Sequence, residues 1–557
     1  MRRKAKYDHL GFKKISDFYY GQIIQRNPIL ATWMGEHAYD SLLPETGAEA
    51  IEKNIAFLRE MRDAFNSLNE NELSLDEKLD CETINHFIGQ QLFMEENLQR
   101  WKLGRDLAMN IGDALFLLFT RNYAPLNTRV ENIIARLRAA PAYLYSGRTL
   151  FQKVPALWAE IYIESARNLP TFIDTIGKSL ASKISPVLLT DFNQAAIEAK
   201  KALADYITWF NNAIAPKANA QWALGEGAFQ AFLANRQIGL DKSEILEMGQ
   251  ASLQMANEQL EKLSNKIIGN THASKSSQIA EAHKRINQKT PANFEAALSA
   301  YKTAVKNGRS FVQQSGFASL PEQESLDIIE TPDFMAHLIP FSAYIGPERT
   351  CKNQNGTYLL TRVENVSRYS YAEIANSAIH EIYPGHHLQL TGHNLHESKM
   401  RSFSECLEII EGWAHYCEEE VINFGLEVSD ASRFTRAADE VFNCARLMID
   451  VKLQSREWSF EQALRHLMEQ GRLDRNSAMA ELRRYTQSPG AQISNVTGKH
   501  LLNKIKSRLK KTYGNDFNSK IFHDLIIYEG SIPIHLAQRY YSEIFKQQLQ
   551  DKGGAKK

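Results

Sequence analysis

The sequence predicts a mainly α-helical protein with a small β element. Apolar residues recur at intervals of three and four along much of the chain, charges fall on the opposite faces of those segments, and one patch, Pro332 to Arg362, breaks the pattern. Helices are predicted over Ile51 to Leu68, Val130 to Ala139, Pro186 to Ile214, Lys242 to Leu263 and Ala292 to Ser315. Gly269 to Thr290 holds few bulky apolar residues and is expected to include a mobile connection. Phe334 to Ile345 mixes apolar residues with Pro340. Gly356 to Thr361 has the composition of a short strand, either a small structural hairpin or an edge to which an extended peptide could add. Gln547 to Lys557 is expected to fray.

With 557 residues, 43% hydrophobic and 23% charged, the composition is that of a globular protein large enough for two or more core regions. Sixty-five basic residues balance 65 acidic ones, so no overall field favours nucleic acid or an anionic membrane. The basic start, MRRKAK, is followed by YDHLGFKKISDFYY, which has no apolar signal-peptide core. The longest obvious apolar stretch, Ala114 to Phe119, is far below a membrane span. A cytoplasmic location without nucleic-acid or membrane partners is the expectation. Cys81, Cys351, Cys406, Cys417 and Cys444 are widely spaced and odd in number, which argues against a disulfide framework or a cysteine-based zinc site.

The chemistry concentrates in His380-Glu381-Ile382-Tyr383-Pro384-Gly385-His386-His387 and in Glu411-Gly412-Trp413-Ala414-His415-Tyr416. Zinc hydrolases commonly use three protein ligands, an open position for water and a carboxylate outside the ligand set. Two histidines, a glutamate and Glu381 supply those types. In His-Glu-x-x-His one regular helix aims both histidines at one ion. Here His380 and His386 are six apart and would point roughly 240° from each other on an unbroken helix. The helix must break or bulge, and Pro384-Gly385 is a sequence that does so.

Upstream, Tyr371, Ile374, Ala375, Ala378, Ile379 and Ile382 form an amphipathic stripe, with His380, Glu373 and Asn376 on the other face and Glu381 between. Downstream, Phe403, Leu407, Ile410, Ala414, Cys417, Val421 and Phe424 form a core-facing stripe, so Cys417 reads as core packing. Glu411 lies beside that stripe, where an unpaired carboxylate is costly to bury. A metal would remove the cost, as would pairing with His415 at i, i+4. Glu408 is a competing ligand one turn earlier, and Glu405 and Glu418 lie on nearby turns. Gly412 in mid-helix costs about 1 kcal/mol relative to Ala, which suggests a close approach to that backbone.

These motifs resemble the bacterial and archaeal family called domain of unknown function 885, itself similar to helical zinc peptidases of the thimet oligopeptidase, angiotensin-converting enzyme and Taq carboxypeptidase type. The resemblance rests on His380 to Gln389 (HEIYPGHHLQ) and Glu411 to Glu418 (EGWAHYCE). Pro28 to Asp40, Phe522-His523-Asp524 and Gly530-Ser531-Ile532-Pro533 support it. It implies His380, His386 and Glu411 as ligands of one zinc ion and Glu381 as general base, with His387 an alternative to His386. Gln454 stands where the family usually has histidine and Asn495 where it has tyrosine, positions whose groups in related peptidases donate to the developing oxyanion. Tyr485, His523 and Tyr528 are further candidates for the substrate cleft.

The expected fold is thus a helical, zincin-like metallopeptidase with a small β element beside a deep cleft, divided into an N-terminal helical region (1–330) and a catalytic region (331–557) that share the cleft. The expected function is zinc-dependent hydrolysis of short peptides. The alternatives are a hydrolase of non-peptide amides or esters and a metal-binding helical protein with lost or altered activity.

Overall fold

All five helical spacings form helices: Ala48–Asn66, Leu126–Gly147, Pro186–Ala213, Lys242–Ile268 and Phe294–Ser315. The computed structural model describes residues 11–269, 274–332, 339, 341–363 and 369–554, with side chains as far as 550. Helix dominates, accompanied by one three-stranded sheet. One expectation of irregular structure is corrected: the last helix, Ile534–Gly554, runs through most of the expected frayed tail. Within Gly269 to Thr290, Lys275–Asn287 is a helix capped by the Ser274 side chain, and residues 270–273 lie outside the described residues.

The sheet comprises β1 (Glu324–Glu330), β2 (Ser342–Ile345) and β3 (Gln354–Leu360), in the order β1-β3-β2. β1 runs parallel to β3 and β2 antiparallel, with Glu324 opposite Gln354 and Tyr344 opposite Tyr358. The strand expected at Gly356 to Thr361 is β3. It is paired on both sides, so it offers no free edge, and β1 is a strand the sequence did not signal. Part of the Phe334 to Ile345 stretch, including Pro340, lies outside the described residues.

The chain divides differently from the expected boundary at 330. One compact unit takes the residues through Cys81, Asn85–Trp222 and Glu348–Cys351, and the other takes Glu82–Ile84, Ala223–Pro347 and Lys352 onward. Helices 242–268 and 294–315 therefore belong with the candidate site. In the first unit, the fully buried Arg136 donates to the Ala114 and Leu42 carbonyls and to Thr32 Oγ1, tying several segments to one cation.

In the second unit, the first histidine motif is interrupted as its spacing requires. Tyr371–Ser377 is α-helical, Ala378–Ile382 widens into a π-helical turn, Tyr383 is extended, and a new helix starts at His386. An extended residue before proline is the conformation sterics favour. A side chain at Gly385 would overlap the His380 carbonyl oxygen, so the chain can double back over its own helix end only with glycine there. The Glu411 helix (Leu407–Asn423) packs on the Asn495 helix (Ser494–Tyr513). Their contact is backbone on backbone: a Cβ on Gly412 would stand 2.6 Å from Gly498 Cα. This is the close approach that Gly412 suggested. Gly412→Ala must force the helices apart and should destabilise the protein by about 1–3 kcal/mol, read as a lower denaturant midpoint with unchanged slope.

Candidate metal centre

The interruption brings His380 and His386 together. Their rings stand 4.9 Å apart, nearly perpendicular, and one ligand atom from each of His380, His386 and Glu411 lies within 4.8 Å of the others. Ligand atoms around a tetrahedral zinc stand about 3.3 Å apart, so modest side-chain adjustment closes this set on one ion.

His380, His415 and Glu418 form a second such grouping. Its geometry is that of a support, because His380 Nδ1 is 2.6 Å from Glu418 Oε1, a hydrogen bond with no room for an ion between. With Nδ1 taken, Nε2 is the nitrogen left for a metal, the carboxylate–histidine arrangement typical of zinc sites. Burial would lower the His380 pKa. The Glu418 bond and charge more than offset this, with Glu381 and Glu411 adding, and raise it to about 9. His386 moves the other way, lowered by burial and by the charge of His380. Burial opposes ionisation of Glu411, but the nearby imidazoles and a bond from Asn495 prevail and hold its carboxyl below the usual range.

The other supports come from further helices. Asn495 Nδ2 donates to Glu411 Oε2 at 2.9 Å, so Asn495 joins the site by orienting a candidate ligand with one of its two amide hydrogens. Its helix start is placed by Asp450, whose buried carboxylate accepts from the Gly490 and Gln492 backbone N–H groups. His415 does not pair with Glu411. Its Nε2 accepts from Asn443 Nδ2 at 2.9 Å, an amide orientation set by Arg446 donating to Asn443 Oδ1, and its Nδ1 faces Glu440 Oε2 at 3.5 Å. Burial would raise the Glu440 carboxyl, but His415 and Lys499 hold it down to about 2. His415, Glu419, Arg436, Glu440, Lys499 and His500 are among the lining of a cavity of about 330 Å³.

The remaining sequence candidates lie elsewhere. His387 points away from the ligand set and is bonded through both ring nitrogens, to Tyr344 OH at 2.8 Å and to Glu324 at 3.0 Å, which removes it as a ligand. Glu408 is paired with Arg236 at 2.7 Å. Gln454 donates to the Tyr485 carbonyl at 3.2 Å. Tyr485 OH bonds Glu481, Tyr528 OH bonds the Ser319 carbonyl, and His523 is buried between the Phe317 carbonyl and Tyr416 OH, its pKa pushed down by burial to about 3. These four hold the fold. Glu418 was signalled, since 411, 415 and 418 share one helix face, whereas Glu440 and Asn443 come from a distant helix and carried no signal.

The family model described as a bacterial protein of unknown function, DUF885, matches residues 28–539. No curated protein matches. A solved candidate lipoprotein of unknown function from Shewanella oneidensis is 20% identical and superposes with a TM-score of 0.79, over 95% of this chain and 99% of that one. A candidate lipoprotein from Colwellia psychrerythraea is 15% identical with a TM-score of 0.80, over 97% and 99%. At these identities the likeness shows a shared fold. The lipoprotein names of both neighbours overturn the cytoplasmic location expected from the sequence. Among the described residues, no helix is long and apolar enough to cross a membrane.

Glu418→Gln keeps the shape but removes the charge behind His380. Zinc affinity, measured by competition with a chelator, should fall about 10- to 100-fold. In the wild type the proton on His380 competes with metal below about pH 9, so affinity should climb with pH up to that value, and in Glu418→Gln the climb should end at lower pH.

Proposed function

The chain belongs to DUF885, a family whose description names no activity, and from its metal centre we propose that it is a zinc-dependent hydrolase of short peptides, of the helical zincin type. The observation that carries the proposal is the convergence of His380, His386 and Glu411, two imidazoles and one carboxylate, as three-ligand catalytic zinc sites use. Zinc held there would polarise a carbonyl and lower the pKa of its water to about 7.

The protein's own groups divide the remaining work. Glu381, next to His380 in the chain and outside the ligand set, acts electrostatically on both histidines. In this reading it takes a proton from the attacking water and returns it to the leaving nitrogen. Glu418 and Asn495 fix the orientation of His380 and Glu411. The lipoprotein names of the structural neighbours support an extracytoplasmic setting.

A second reading, a metal-binding protein without turnover, is favoured by one observation. Gln454 and Asn495 each spend one amide hydrogen inside the fold, on the Tyr485 carbonyl and on Glu411, and neither amide can act as an acid near neutral pH.

Replacing His380, His386 or Glu411 with Ala should abolish stoichiometric zinc, while Glu408→Ala and His387→Ala leave the ligand set intact. Glu381→Gln should retain about one equivalent of zinc and lose most hydrolysis of a mixed peptide library. Elemental analysis and turnover per zinc decide: zinc retained in the ligand variants removes the centre, and a zinc-loaded wild type inert on every peptide selects the second reading.

A further inference from the structure

The cavity of about 330 Å³ takes no part in the proposed hydrolysis. It is enclosed by four helices of the second unit, Lys242–Ile268, Leu407–Asn423, Asp430–Gln454 and Ser494–Tyr513, and His380, Glu381, His386 and Glu411 are absent from its walls. His415 is the wall it shares with the candidate metal centre, since that residue lines the cavity and its ring stands 5.5 Å from the ring of His380. The cavity is a neighbour of the ligand set and not part of it.

Its walls carry charges of both signs with binding capacity left over. Arg436 and Glu440 are four residues apart on one helix, the spacing at which opposite charges commonly meet, but each is engaged elsewhere. Arg436 Nη1 donates to the backbone carbonyl of Glu418, and among the described residues no carboxylate pairs with the guanidinium. The rest of its planar fork of N–H donors is without a protein acceptor. Glu440 Oε2 is approached by His415 Nδ1 and by Lys499 Nζ, both at 3.5 Å, an ion-pair distance beyond that of a good hydrogen bond. A carboxylate offers about four lone-pair sites, so Glu440 can accept more. Lys499 lies closer to Glu419, at 3.1 Å.

This arrangement selects among occupants. A simple anion would meet Glu419 and Glu440, and a simple cation would meet Arg436 and Lys499, whereas a molecule with both charges finds a partner for each. Four residues of helix separate Arg436 from Glu440 by a rise of about 6 Å. That is close to the span of two extended residues, about 7 Å. We propose that the cavity binds a zwitterionic dipeptide, with its carboxylate on the Arg436 fork and its ammonium on Glu440. A peptidase acting on short peptides releases molecules of this class, but the site needs neither zinc nor turnover and stands apart from the hydrolase reading.

Calorimetry on the intact, metal-depleted chain tests this with three probes: glycylglycine, which carries both charges, its N-acetylated form, which keeps only the carboxylate, and its C-terminal amide, which keeps only the ammonium. The wild type should bind glycylglycine about tenfold more tightly than either blocked form. Arg436→Gln should lose the preference over the amide and keep the preference over the acetylated form, and Glu440→Gln should do the reverse. Unfolding weakens every probe alike and cannot give that crossed pattern. A wild type that binds the three probes equally, or does not bind glycylglycine at millimolar concentration, overturns the site without any variant. Binding that is indifferent to both substitutions lies at the vacant ligand set and overturns it too, as does an equal loss of all three probes in both variants. None of these outcomes depends on zinc, so the cavity and the hydrolase fail separately.

Discussion

The indole of Trp413 donates to the carbonyl of Pro384 at 2.9 Å, and the candidate metal centre depends on that bond. Pro384 lies in the interruption that lets His380 and His386 face one another, and Trp413 sits two residues after Glu411 on the helix that brings the third ligand. A carbonyl freed from its helix and buried without a donor would cost on the order of 1–3 kcal/mol. Trp413, itself fully buried, removes that penalty and joins the two motifs in one contact. Cys417, one turn further, packs its sulfur against the same carbonyl at 3.8 Å. The break in one helix is thus held open by the helix it must meet.

Around this joint the protein gathers more charge than an interior tolerates unaided. His380, Glu411, Glu418, Glu440 and Lys499 lie close together, and each carboxylate meets a partner from a different segment: Glu418 with His380, Glu411 with Asn495, Glu440 with His415 and Lys499. Two of the supports, Asn495 and Asn443, are amides. An amide orients its partner without adding charge and is unaffected by pH, which suits a position behind a metal ligand or beside a histidine. Rigid supports of this kind hold a first layer of ligands in place before a metal arrives.

The same helix that presents His386 to the ligand set presents His387 to the sheet. Successive residues on a helix point about 100° apart, so the doubled histidine serves two surfaces at once. One side is the candidate metal centre. The other is the Glu324–His387–Tyr344 chain, which fastens the helix to β1 and β2. The small sheet therefore carries no free central edge for a peptide at β3 but does set the position of a tyrosine near Glu381.

The sequence by itself determined the helical class, the five amphipathic helices, the need for a break between His380 and His386 and the close approach at Gly412, and it offered His380, His386 and Glu411 as a candidate set. Each of these is local, written in the periodicity of one helix or the spacing within one motif, and backbone geometry reads it the same way in any surroundings. Other choices were left to tertiary structure: His386 over His387, Glu411 over Glu408, Asn495 as support for Glu411, the bond of Gln454 to Tyr485, the strand β1 and the division near residue 222. Neighbouring histidines or glutamates are chemically alike, and which one reaches the ion depends on what packs against the other. Here Glu324 and Tyr344 claim His387 and Arg236 claims Glu408, partners 43 or more residues away in the chain. Hydrogen bonds of that range are decided by how helices and strands pack, and no local pattern records them.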